Sequence, residues 1–197
     1  MNREHLSIIL PVLGKLLYSY PTRDFLAKTR EAQLFGDIPY ISGSEAFAEG
    51  QKLLEEWETS DGAYDACISD YQDLFVGVRD RVKVPIWESF FTAPEPMMFT
   101  DSTLKARLWY DRYGMEIKNI RHEPDDHMGI ELMFLAYLLD KDPENAEKFF
   151  SDRIAPWYAK LFECMASNAV TPLYRGLALL LYAICEDFDK AVAAKAR

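Results

Sequence analysis

The stretch Glu123-Pro124-Asp125-Asp126-His127-Met128-Gly129-Ile130-Glu131-Leu132 continues as Met133-Phe134-Leu135-Ala136-Tyr137-Leu138-Leu139. From Met128 onward apolar residues occupy nearly every side of a 3.6-residue period, which predicts a buried central helix. Pro124 fits the first turn of that helix, where its missing N–H costs nothing. Asp125 and Asp126 beside it favour the positive end of the helix dipole. A helix apolar all round needs other helices to cover it, so the expectation is an all-α fold.

The flanking sequence supplies those helices. Leu6, Ile9, Leu10, Leu13, Leu16 and Leu17 recur at three- and four-residue spacing and define one helical face, closed by Pro21. Thr22 or Asp24 caps a second helix reaching roughly to Leu34, and Ser44 opens a third through Trp57. A fourth carries Tyr64, Ile68, Tyr71, Leu74 and Phe75 up to Gly77. Asp101 or Ser102 caps another helix, with Gly114 at its C-terminal end. Pro143 and Pro156 start or restart further helices, and Thr171-Pro172 caps and opens the last. Between them, residues 78–100 read as a long connector with one short helix around Trp87–Phe91. Val82, Val84 and Ile86 alternate like a strand, but Pro85 interrupts them, and Pro94 and Pro96 force extended backbone. The expectation is a single-domain helical bundle over 1–197, with an N-terminal half of about 1–77 and a C-terminal half of about 101–197.

Composition bounds the function. The chain has 197 residues, 22 Lys plus Arg against 32 Asp plus Glu, and a net charge of −10. Nucleic acid is not an expected partner, because duplex binding rests on cations displacing counterions. The three cysteines form no CxxC pair and signal neither zinc nor a disulfide framework. No segment reads as a signal peptide or reaches the roughly 20 apolar residues of a membrane span. A cytoplasmic protein without stable membrane insertion is expected.

Catalytic motifs are absent: Gly14-Lys15 is no P-loop, and neither GxGxxG nor GxSxG occurs. His122 and His127 are five apart, one residue off the zincin spacing. A metal-dependent hydrolase built on Asp126, His127 and Glu131 is the alternative, since His127 and Glu131 would share a helix face. A purely structural helical subunit of a larger assembly is a further alternative. Apolar recognition has more support. Tyr71, Leu74, Phe75, Pro85, Trp87, Phe90, Phe91, Met97, Met98 and Phe99 crowd around the connector, and Met-containing aromatic surfaces adapt well to peptides.

Several of these segments together resemble the TorD/DmsD family of molybdoenzyme maturation chaperones. Glu123-Pro124-Asp125-Asp126-His127 is similar to its E-P-x-D-H signature, Tyr71 to Gly77 to its aromatic-x-x-L-F segment, and Pro85-Ile86-Trp87 to its Pro-x-Trp segment. The likeness is good over about 64–185 and weak before that. It implies an all-helical protein with no catalysis and no cofactor of its own. The implied partners are the twin-arginine signal peptide and the precursor of a molybdoenzyme catalytic subunit, of the dimethyl-sulfoxide or trimethylamine-oxide reductase kind. The implied leader-binding residues are Tyr71, Leu74, Phe75, Pro85, Trp87, Glu123, Pro124, Asp126 and His127. Tyr71 and Phe91 stand where some members carry Trp. The carboxylates Glu123 and Asp126 suit bidentate bonds from arginine. A monomer is expected, with exchange of halves across the connector giving a minor swapped dimer.

Overall fold

The computed structural model describes residues 3–36, 38, 42–60, 62–77, 82–93, 95, 97–117 and 123–195. Among these residues there are helices and no strand. In chain order they are α1 (Arg3–Tyr18), α2 (Arg23–Glu31), α3 (Glu45–Thr59), α4 (Tyr64–Tyr71), α5 (Ser89–Thr92), α6 (Asp101–Arg112), α7 (Met128–Lys141), α8 (Pro143–Phe149), α9 (Tyr158–Asn168) and α10 (Pro172–Lys195). Single π-turns extend α4 over Gln72–Val76 and α8 over Phe150–Ile154.

Two helix crossings organise the bundle, and both run on glycine. α1 packs along α7, and α3 packs along α10. A Cβ added to Gly129 would lie 2.5 Å from the Gly14 carbonyl oxygen, and one added to Gly14 would lie 2.6 Å from that of Gly129. Gly50 and Gly176 make the same approach between α3 and α10, at 2.9 and 2.8 Å. The obstacle in each case is backbone, which no rotamer change relieves. Each crossing joins the N-terminal half to the C-terminal half, so the halves share one core. Leu6, Leu10, Leu13, Leu132, Leu173 and Leu177 are all fully buried in it.

Helix ends follow local chemistry, with some departures from expectation. Thr22 caps α2 by accepting from the Phe25 N–H at 3.2 Å. Thr100, rather than Asp101 or Ser102, caps α6. Gly114 takes the left-handed conformation after α6, at φ +65°. Thr171 precedes α10, and its carbonyl accepts the Arg175 N–H at 3.1 Å. Its N–H and hydroxyl both donate to buried Asp70, at 2.7 and 2.6 Å, which ties the start of α10 to α4.

The connector carries the short helix expected near Trp87–Phe91, as α5. The alternation at Val82, Val84 and Ile86 gives no strand. It leaves one isolated antiparallel bridge, Trp87 with His127. The largest departure is at the opening of α7. The helix begins at Met128, not at Pro124, and Asp125 and Asp126 lie in the turn before it. Pro94, Pro96 and His122 lie outside the described residues, as do 78–81 of the connector.

Candidate functional site

His127 caps α7. Its backbone is extended, at φ −77° and ψ 127°, and its Nδ1 accepts the Gly129 N–H at 3.0 Å. The bridge continues on both sides: the Met128 N–H donates to the Ile86 carbonyl and the Glu88 N–H to the Asp126 carbonyl, each at 3.0 Å. Connector residues 86–88 are therefore laid along residues 126–128. Pro124, Asp125, Asp126 and His127 are all buried.

Asp126 is fully buried and spent inside the protein. Oδ2 accepts the Ser89 N–H at 2.9 Å, at the start of α5. Oδ1 accepts the Thr103 hydroxyl at 2.7 Å, on α6. Asp125 pairs with Arg107 at 2.7 Å, and its carbonyl accepts the Tyr110 hydroxyl at 3.0 Å. The two aspartates thus fasten α5 and α6 to the turn before α7. Both oxygens of the fully buried Asp126 carboxylate already accept a bond inside the protein.

The expected site residues fall into two groups joined by the connector. Tyr71, Leu74 and Phe75 sit on α4 and its π-turn, where the Leu74 carbonyl accepts the Val84 N–H at 2.9 Å. Pro85 and Ile86 then lead to Trp87. The rings form an aromatic tract of two sets, linked through the chain at the end of α1. Phe75 meets Tyr71 edge-on at 5.1 Å, and Tyr71 meets Tyr20 at 5.7 Å. Tyr18 meets His127 at 5.2 Å, His127 meets Trp87 at 6.2 Å, and Trp87 meets Phe90 at 5.7 Å. Tyr20, just beyond the end of α1, thus joins the first group and Tyr18, at its end, the second. Sequence reading missed both. The available signal was their place directly before Pro21, where a helix ends and side chains are free to turn toward another element.

Most of this tract is covered. Tyr71, Leu74 and His127 are at most 1% exposed, and Trp87 and Phe75 are 6% exposed. Its open parts are Tyr20, Val76 and half-buried Pro85, Phe90 and Glu123. The Trp87 indole N–H is buried with no acceptor, an unmet donor at the centre of the tract. Glu123 lies beside His127, its carboxylate 3.8 Å from Nε2.

An acidic cleft of about 730 Å³ has Glu88, the residue after Trp87 in the chain, in its wall. Glu88, Glu95 and Asp101 supply its carboxylates, with Met97, Ala93 and Pro156 among its apolar walls. Behind Glu88 lies a buried charge cluster. Arg153 ion-pairs with Glu88 and, at 3.1 Å, with fully buried Glu131. Burial raises the Glu88 carboxyl to about 7 despite the opposing pull of Arg153. Burial also pushes Glu131 well above the usual carboxylate range.

The hydrolase alternative fails on this geometry. Asp126 turns to Ser89 and Thr103, His127 to the α7 backbone, and Glu131 to Arg153. His127 precedes the helix, so it does not share a helical face with Glu131. Among the described residues no three His, Cys, Asp or Glu side chains are arranged to hold a metal ion.

The described residues thus form an all-helical bundle that carries an aromatic tract and, starting at Glu88, an acidic cleft. Residues 43–163 match the nitrate reductase delta subunit family, and the chain belongs to that family, the TorD family. The Tat proofreading chaperone DmsD of Salmonella typhimurium is 26% identical over 183 residues, 91% of this chain and 87% of that protein. The Probable Tat proofreading chaperone DmsD of Haemophilus influenzae is 28% identical over 169 residues, covering 75% and 83%. The crystal structure of an Archaeoglobus fulgidus protein assigned to redox enzyme maturation superposes with a TM-score of 0.61, at 25% identity over 94% of each chain. Among the described residues no helix is long and apolar enough to cross a membrane.

Proposed function

We propose that this protein is a cytoplasmic chaperone that binds the twin-arginine leader of a molybdenum-containing oxidoreductase and holds the precursor back from export until it has matured. It performs no bond-breaking of its own. The observation that carries the reading is that Trp87, in the aromatic tract, is followed directly in the chain by Glu88, which lines the acidic cleft. A twin-arginine leader has the matching polarity, two guanidinium groups followed by an apolar stretch. In this reading exposed Glu95 and Asp101, with Glu123, receive the arginines. Pro85, Trp87, Phe90 and Tyr20 receive the apolar stretch, and the Trp87 N–H takes a leader carbonyl. Tyr71, Leu74, Phe75, Pro124, Asp126 and His127 act from beneath by holding this surface in place. Desolvating an aromatic anchor such as Trp87 contributes about 2 kcal/mol or more. The net charge of −10 speeds encounter with a cationic leader and makes it salt-sensitive. The free chain is a monomer in this reading, with a swapped dimer as a minor form.

Titration of the full chain with a synthetic twin-arginine leader tests the reading. Micromolar binding, roughly −8 kcal/mol, is expected. Replacing Glu95 and Asp101 together with Gln and Asn should weaken it at least about tenfold, a loss of about 1.4 kcal/mol.

A further inference from the structure

A second concavity, of about 420 Å³, lies on the far side of Lys105 from the acidic cleft, and its charge is of the opposite sign. Lys105, Leu108, Trp109 and Arg112 recur at i, i+3, i+4 and i+7 along α6, so they form one face of that helix. The facing wall is Asp152 and Arg153, from the π-turn after α8. The Asp152 carboxylate is already bonded to Lys148 at 2.6 Å. The cations are not balanced in the same way. Among the described residues, neither Lys105 nor Arg112 forms an ion pair with a carboxylate, whereas most other Lys and Arg side chains do. Arg112 lies against the Trp109 ring, 5.2 Å from its centroid, which holds it over the hollow.

Arg153 gives the independent observation. It is 2% exposed, yet its bonds to Ser102, Glu88 and Glu131 all run through Nη2. Its Nε is buried without an acceptor. A buried guanidinium donor left unbonded costs free energy unless an acceptor arrives. One donor of a planar fork suited to oxyanions is thus unsatisfied, on a residue in the wall of a hollow that also carries two cations without ion pairs.

We propose that this hollow is a binding site for a phosphate-bearing small molecule, with Lys105, Arg112 and Arg153 as the ligands of the anion. The volume is that of a small-molecule site rather than a protein interface. Phosphate fits better than a lone carboxylate, because its double charge matches the two cations without ion pairs, Lys105 and Arg112, and leaves an oxygen for the Arg153 Nε. The site does not rest on the leader-binding reading. It shares only Lys105 with the acidic cleft.

Inorganic pyrophosphate, titrated calorimetrically into the full chain at low ionic strength, is the probe. Saturable binding at one site per chain is expected. Arg112→Glu should weaken it at least tenfold, and so should Lys105→Glu. Lys160→Glu, an exposed cation on α9, should leave it within twofold. Circular dichroism melts establish that each variant is folded, and Arg112→Gln replaces Arg112→Glu if the latter is not. Absence of saturable binding to the wild-type chain would overturn the proposal, as would binding that survives both α6 substitutions. Cosedimentation with phosphatidylglycerol vesicles in the absence of pyrophosphate binding would overturn it in favour of a lipid surface. Leader affinity unchanged in Arg112→Glu is expected whichever way the leader reading falls.

Discussion

Trp87 and His127 face each other across a single antiparallel bridge, forty residues apart in the chain, with their rings edge-to-face at 6.2 Å. That bridge converts an irregular connector into a fixed wall of the proposed leader site. It is flanked by Ile86–Met128 and Glu88–Asp126 backbone bonds and locked by the Asp126 side chain. The wall fixes where Trp87 stands and where the acidic cleft opens.

Asp126 is therefore a positioning residue. Asp126→Ala leaves the Ser89 N–H and the Thr103 hydroxyl without their buried acceptor. The expected cost is about 2 kcal/mol or more in urea denaturation. Leader affinity should fall with it, because Trp87 and Glu88 are no longer held. Full stability in Asp126→Ala would contradict the locking role.

His127 works first as a helix cap. His127→Ala should cost about 1 kcal/mol of stability through loss of the Nδ1 bond to Gly129. His127→Asn supplies a cap acceptor and should recover most of that. It should not recover leader affinity, since the ring contacts with Tyr18 and Trp87 are gone. A stability ranking with Asn no better than Ala would count against the cap.

Gly129 is where α1 and α7 touch. Gly129→Ala puts a methyl 2.5 Å from a backbone oxygen and must part the two helices. The expected loss is about 3 kcal/mol. Gly36→Ala, which meets nothing within 4 Å, is the control and should be near neutral. Thermal melts of the two variants decide the point.

Glu88 makes stability depend on pH. Burial raises its carboxyl from 4.5 to about 7. Between those values the unfolded chain has released this proton and the folded chain still holds it. The unfolded state then binds fewer protons, so stability falls as pH rises through that window. Glu131, raised by burial as well, acts in the same direction. A tenfold difference in proton affinity between the folded and unfolded chain is worth about 1.4 kcal/mol. Glu88→Gln should flatten the decline between about pH 5 and pH 7 by roughly 2 kcal/mol. A slope identical in wild type and variant, measured by denaturant titration across that range, would rule out Glu88 as its source.

Sequence periodicity locates the long helices well, because Leu stripes such as Leu6 to Leu17 report burial directly. It misplaces the start of α7. Pro124 and the two aspartates look like a helical first turn, but tertiary partners on α5 and α6 claim them instead. Nothing local in Asp126 announces that Ser89 and Thr103 will be its donors. Gly14 invites comparison only with a phosphate loop, although its use is a helix crossing visible only once Gly129 is opposite it. The family segments predict a shared site around Trp87 and His127, and these residues do lie together. Tyr18, Tyr20, Glu95 and Asp101 emerge only from the packing. Arg153 is invisible in sequence as a member of any site, since its partners lie 22 and 65 residues away along the chain.

The most direct test compares two synthetic leader peptides by calorimetry against the full-length chain, one with the Arg-Arg pair and one with Gln-Gln in its place. The account predicts micromolar or tighter binding of the first and at least about tenfold weaker binding of the second, with the difference shrinking as salt is raised. Equal affinity for both peptides, or no binding of the Arg-Arg leader, would contradict it.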